Sequence, residues 1–245
     1  VLFVTQHNPF CSPSLNVTCR LLGSVPPGGF ALLRWELYAE TCVAPYTVCF
    51  ATDFRDVFFQ APFLFPNQVG IDLMVFEEEG IVIGTNSYNK KWVRSCHGRD
   101  GTRRVGEEHV ICSGTVLGSP RGFKWVNDYF NSIDTSCCST GGCDQGHFNW
   151  MLYTTQWNTT GLTVQFVQNQ EGIVNTLAHV KLKGYPIYNH DGSLSPVCHQ
   201  WDRHKHLLIT YVKQLVRDLK HNKSYHFPSL KQNFNTTPSL LHNSK

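Results

Sequence analysis

The stretch "YTVCFATDFRDVFFQAPF", Tyr46 to Phe63, decides how the chain is read. Tyr46 to Thr52 carries no charge and is expected to form a buried strand. Two carboxylates and a guanidinium follow within four residues, Asp53-Phe54-Arg55-Asp56, and the chain then turns apolar again. Desolvated charges need partners, and in open α/β sheets ligands bind outside the carboxyl ends of strands. A carboxylate at such a strand end can hold a divalent cation through hard oxygen ligands, and the cation can carry a diphosphate. An arginine can pair with phosphate directly through its planar fork. Taken alone, the segment is explained equally well as a surface turn with an internal Asp–Arg ion pair.

Around this stretch, strands and helices alternate. "FALLRWELYAET" (30–41) reads as a helix stopped by Pro45. Strands are expected over 1–5, 80–86, 109–118, 162–168, 172–178 and 195–200, and helices over 121–133, 144–155 and 207–219. Asp144, preceded by Gly142, is expected to cap the helix it opens. The alternation favours an α/β layered fold, a mixed sheet flanked by helices, over an all-β sandwich. One domain over 1–220 is expected, followed by a polar, aperiodic tail over 221–245 that reads as poorly ordered.

The 245 residues are 41% hydrophobic and 16% charged, enough for a core that stands without staples. A net charge of +3, with no basic run, gives no footing for nucleic acid or an anionic membrane as partner. No apolar run approaches the length of a membrane span. Ten cysteines and four N-x-S/T sequons, at Asn16, Asn158, Asn222 and Asn235, argue together for an oxidising, glycosylating compartment. Cys11 with Cys19, and Cys137 or Cys138 with Cys143, are plausible local loops. The cysteines form no paired knuckles, which speaks against zinc fingers. The chain opens on "VLFVT", without Met or signal peptide, and is read as a fragment whose targeting segment and first strands lie upstream.

Three further segments change the balance. "ICSGTVLGS" (111–119) interrupts a strand with Ser113-Gly114-Thr115, small residues that let a ligand approach the backbone. "GGCDQGHFN" (141–149) sets Asp144 and Gln145 at a helix start, where an acid or amide can meet a sugar hydroxyl; capping alone would explain Asp144 but not Gln145. "PVCHQWDRH" (196–204) places His199 at a strand end. A lone histidine is more often structural, but this imidazole could complete a metal site begun by Asp53.

These blocks occur in the order found in GT-A-fold glycosyltransferases. The chain resembles the eukaryotic secretory-pathway members whose strand ends in T-D-x-R-D-V-x-F-Q-x-x-P-F, and more distantly it is similar to the retaining glycogenin-like and galactosyltransferase families. The resemblance spans about Phe30 to His206; the long string is specific, and D-Q alone is weak. It implies transfer of a sugar from a nucleoside diphosphate sugar to a hydroxyl on a glycan or protein, in the secretory lumen, the Golgi above all, with secretion as the alternative. Asp53 would touch the metal or the donor ribose, and Ser113 and Gly114 would line the donor sugar. Asp144 and Gln145 would meet the transferred sugar or the acceptor, and His199 would be the late metal or diphosphate ligand. The second acid of the family's D-x-D falls on Arg55. Either Asp56 takes over, giving a Mn2+ site of Asp53, Asp56 and His199, or Arg55 replaces the metal. Two readings compete: a catalytically silent scaffold of the same fold, and a secreted disulfide-rich binding protein. A zinc enzyme built on His199, His204 and His206 lacks a recognised ligand spacing.

Overall fold

The computed structural model describes residues 2–4, 18–23, 29–61, 70–139, 142–155, 157–182 and 184–204, with five helical residues between 206 and 217. Cys11, the sequons at Asn16, Asn222 and Asn235, the tail over 221–245 and most of the helix expected over 207–219 lie outside the described residues.

The described chain is mixed α/β. Its first two strands, β1 (Leu2–Val4) and β2 (Cys19–Leu21), pair in parallel. Helix α1 (Phe30–Thr41) matches the expected span. Its Trp35 is fully buried and lies between Phe130 and Phe148, stacked on each at 5.4 and 4.8 Å between centroids. β3 (Cys49–Thr52) and β4 (Val57–Phe59) flank the charged burst. β5 (Leu73–Val82) and β6 (His109–Gly118) are the long strands, with β7 (Val164–Val167), β8 (Val174–Thr176) and β9 (Val197–His199) after them.

Two sheets result. The larger has the order β3-β6-β5-β7; β6 runs antiparallel to β3 and β5, while β7 is parallel to β5. The smaller has the order β4-β9-β8, with β4 antiparallel and β8 parallel to β9. β3 thus belongs to one sheet and β4 to the other, so Asp53 to Asp56 is the segment that crosses between them.

Helices α3 (Pro120–Ser132) and α4 (Cys143–Thr154) join α1 over one apolar core with Leu73, Val75, Ile111 and Val116 of the larger sheet. Buried Asn149 pins α4 to β6: its side chain accepts from the Ile111 N–H at 2.7 Å and donates to the Ile111 carbonyl at 2.8 Å. α3 starts at Ser119, whose hydroxyl accepts from the Gly122 N–H at 3.1 Å. α4 does not start as expected. Gly142, in the left-handed region at φ 90°, is its N-cap, and Asp144 sits inside the first turn. A Cβ at Gly142 would run into the Trp92 indole.

Two elements differ further from expectation. The strand expected over 80–86 begins seven residues earlier, at Leu73, and ends at Val82. Glu77, Glu78 and Glu79 hide its apolar first half, and the pairing with β6 shifts register beside them. Helix α2 (Ser87–Val105) had no expectation at all. It buries only Asn89, Val93, Gly101 and Val105, its turn breaks at Gly98 (φ 69°), and Asn86 starts it by accepting from the Tyr88 and Asn89 N–H groups.

Disulfides join Cys42 to Cys49, Cys96 to Cys137 and Cys138 to Cys143; Cys19 is also oxidised, while Cys112 and Cys198 are free and buried. These bridges fit a lumenal or secreted setting. Among the described residues no helix is long and apolar enough to cross a membrane.

Candidate active site

The charged burst lies against β6. The Asp53 N–H donates to the Gly114 carbonyl at 2.8 Å, extending the β3–β6 ladder by one rung. β4 pairs with β9 so that Val57 faces His199, which brings Asp56 and the end of β9 together. His199 Nε2 lies 3.6 Å from Asp53 Oδ2 and 3.8 Å from Asp56 Oδ1. One ligand atom from each of the three residues falls within 4.8 Å of the others.

Glycine is required where these groups meet. A Cβ on Gly114 would sit 2.5 Å from Asp53 Oδ2 and 2.6 Å from His199 Cε1, filling the space between carboxylate and imidazole. His199 Nε2 is buried and has no hydrogen-bond partner. A buried polar atom without a partner is costly, and this one faces two carboxylates across a gap that any side chain at 114 would close. Two hard oxygen donors and one imidazole suit a divalent cation of the Mn2+ type. The three residues expected to ligate a metal therefore fit one.

Arg55 does not belong to this group. Its guanidinium is 82% exposed and pairs with Asp202 at 3.3 Å. The cation that reaches the carboxylates is Arg34 of α1, absent from the sequence expectations. It lies 3.1 Å from Asp53 Oδ1 and 3.7 Å from Asp144 Oδ2, and also donates to the Ser113 carbonyl at 3.4 Å. Burial works against its charge, but Asp144, Tyr38 and Asp53 outweigh it and hold its pKa above the ordinary arginine value.

The two acids on Arg34 are pushed apart. Asp144 is buried, and burial outweighs the guanidinium and the Ser113 hydroxyl, so its pKa rises. For Asp53, burial is opposed and overcome by His199 and Arg34, and its pKa falls. Burial also opposes charge on His199, but the Cys112 sulfur and Asp53 favour it and push its pKa up to about 10. The opposed shifts make Asp53 the more readily ionised of the two and Asp144 the more readily protonated.

Ser113 and Gln145 close the other side. The Ser113 hydroxyl donates to Asp144 Oδ2 at 3.2 Å, and Gln145 Oε1 faces the Ser113 N–H and hydroxyl, both at 3.4 Å. Gln145 Nε2 donates to Glu78 Oε1 at 3.2 Å and to Asn89 Oδ1 at 2.8 Å. Its amide is thus engaged within the protein, tying α4 to β5 and α2. Glu78 is buried, and burial pushes its pKa up against the help of Gln145.

The structure brings Asp53, Asp56, Ser113, Gly114, Asp144, Gln145 and His199 into one connected region and leaves Arg55 outside it. Sequence reasoning missed Arg34, Glu78, Asn89 and Cys112. Arg34 carried one signal, a lone cation on a helix whose neighbours are Leu33 and Trp35. Compared with known proteins, the chain matches no family model and no curated protein.

Proposed function

We propose that the chain is a glycosyltransferase of GT-A type, acting in the secretory lumen, most naturally the Golgi, on a nucleoside diphosphate sugar and a hydroxyl of a glycan or protein. The observation that carries this reading is the convergence of Asp53, Asp56 and the unpartnered His199 Nε2 around the space kept open by Gly114. Mn2+ held by those three residues would supply positive charge to the departing diphosphate. Arg34, 3.1 Å from Asp53 and 3.7 Å from Asp144, connects the diphosphate end of the site to the sugar end. Ser113 and Gly114 line the donor sugar between them. The bond from the anomeric carbon to the diphosphate oxygen breaks, a bond to the acceptor oxygen forms, and the acceptor proton leaves. Asp144, whose pKa is raised by burial, is placed to orient the sugar or take that proton. Gln145 fixes the start of α4 so that Asp144 keeps its position against Ser113.

Calorimetric titration with UDP and with GDP, each with and without Mn2+, tests this on the parent and on Asp53→Ala. Mn2+-dependent binding of one nucleotide is expected in the parent. The variant should lose roughly 1.5–3 kcal/mol, about 10- to 150-fold in affinity. A folded parent that binds neither nucleotide under any condition, or a variant that binds like the parent, overturns the reading. Sugar-donor hydrolysis by a binding-competent parent separates an active transferase from a silent scaffold.

A further inference from the structure

Cys112 takes no part in the chemistry above, yet its sulfur lies 3.3 Å from His199 Nδ1. Both residues are 1% exposed. The chain has a second free, buried thiol, Cys198, one residue before His199 on β9. Strand alternation sends Cys198 to the opposite face, where it packs with Leu177 and Ile187 in an apolar cluster. Cys112 belongs to none of the hydrophobic clusters of the described residues.

A neutral imidazole has one N–H and one lone pair. For His199 Nε2 to offer its lone pair toward Asp53 and Asp56, the proton must sit on Nδ1, and a buried N–H needs an acceptor. The partner at Nδ1 is the Cys112 sulfur. Its other hydrogen-bonding neighbours are donors: the Gly114 backbone N–H and the Gln200 amide, which reaches it at 3.9 Å. Gln200 follows β9 directly with a left-handed backbone, φ 58°. A non-glycine residue keeps that conformation only where its surroundings fix it.

We propose that Cys112 is a positioning residue: its sulfur accepts the Nδ1–H of His199 and so keeps the Nε2 lone pair turned toward the cation seat of Asp53 and Asp56. The inference rests on the metal reading given under the proposed function. It extends that reading to the group behind the histidine, a place where metalloproteins usually set a carboxylate or carbonyl.

Calorimetric Mn2+ titration of metal-free protein tests it on the parent, Cys112→Ala, Cys112→Ser and Cys198→Ala, with melting curves to confirm folding. Cys112→Ala should weaken Mn2+ binding by roughly 10- to 100-fold, the usual effect of losing such a partner. Cys112→Ser retains an acceptor and should stay within a few-fold of the parent. Cys198→Ala should lose stability and bind Mn2+ like the parent. If the parent binds Mn2+ and Cys112→Ala binds equally well, the inference fails while the metal reading stands. It fails in the same way if the serine variant falls as far as the alanine variant, or if Cys198→Ala weakens binding as much. A folded parent that takes up no Mn2+, even with nucleoside diphosphate present, overturns both.

Discussion

Among the described residues, two groups bring ligating atoms within 4.8 Å of one another, and they are opposites in everything else. One is Asp53, Asp56 and His199. The other is Cys96, Cys137, Cys138 and His147. In the second group every sulfur is already bonded, in the bridges Cys96–Cys137 and Cys138–Cys143. His147 Nε2 lies 3.3 Å from Cys137 Sγ, and its Nδ1 meets His97 Nε2 at 3.1 Å. Burial pushes both imidazoles down to about 4. Asp134 favours charge on His147, but burial outweighs it, and His97 spends its face stacking on Trp150 at 4.3 Å. The first group has two carboxylates and an imidazole pushed the other way, its Nε2 facing Asp53 and Asp56 at 3.6 and 3.8 Å. Proximity of donor atoms is therefore common to a clasp and to a site. Spare lone pairs and net charge tell them apart.

The clasp still matters to the site. It ties α2 to the loop before α4, the helix whose first turn carries Asp144 and Gln145. Replacing Cys96 and Cys137 together by alanine should produce the largest loss of stability. The bridge spans a sequence separation of 41 residues, for which loop-closure entropy gives about 4 kcal/mol. The Cys138–Cys143 bridge spans 5, and losing it should cost about 2 kcal/mol. Guanidinium unfolding reads both, and Mn2+ affinity should stay at the parent value in the folded Cys96/Cys137 variant. Loss of Mn2+ binding there, with folding intact, would erase the distinction between the two groups.

Acid should separate them next. His97 and His147 have folded-state pKa values near 4, below the ordinary 6.5. The unfolded chain therefore takes up protons first. Their contribution to stability is present above about pH 6.5 and drains away as the pH falls toward 4. His199 has the opposite sign. In the metal-free protein its contribution is full below pH 6.5 and is lost as the pH rises toward about 10. Asp53, with a depressed pKa, contributes above its ordinary 3.8 and loses that contribution as the pH falls through its folded value. Thermal melting of His147→Gln between pH 7 and 4.5 should show a shallower decline than the parent. Parallel curves would mean that the buried imidazoles do not set the acid limb.

What could be seen in the sequence follows the same divide between local and distant. α1 and β6 announce themselves by apolar pattern, and α3 and α4 do so to within a residue at each end. The first half of β5 does not, because Glu77 to Glu79 carry charges that only the folded chain satisfies, Glu78 through Gln145 from 67 residues away. α2 is polar on most of its surface and offers no stripe. At the site, contiguous charge marked Asp53 and Asp56, an imidazole at an expected strand end marked His199, and the resemblance to glycosyltransferases gave His199 the same role. Arg34 showed itself only as a lone cation on its helix, and nothing near it in sequence shows that it will meet Ser113, 79 residues on, or the acids at 53 and 144. The same holds for Cys112, whose partner is 87 residues away.

The smallest expected effect falls on the residue the sequence made most conspicuous. Arg55 stands two residues from Asp53, where the D-x-D pattern of the glycosyltransferases that the sequence resembles has an acid, and on sequence grounds it could replace a metal. In the fold its guanidinium is 82% exposed against Asp202, whereas Arg34 is 18% exposed against Asp53. An exposed ion pair gains little, because water screens it and two long side chains must be held still. A buried guanidinium between two carboxylates leaves both uncompensated when it is removed. Arg55→Ala should therefore bind nucleoside diphosphate as the parent does, with unchanged Mn2+ dependence and an unchanged melting point. Calorimetry on the parent and on this variant, with and without chelator, reads the difference. A clear loss of nucleotide affinity in Arg55→Ala would mean that the loop at 54–56 turns inward when the diphosphate arrives. The cation facing the donor would then be Arg55 after all, beside Arg34 rather than replaced by it.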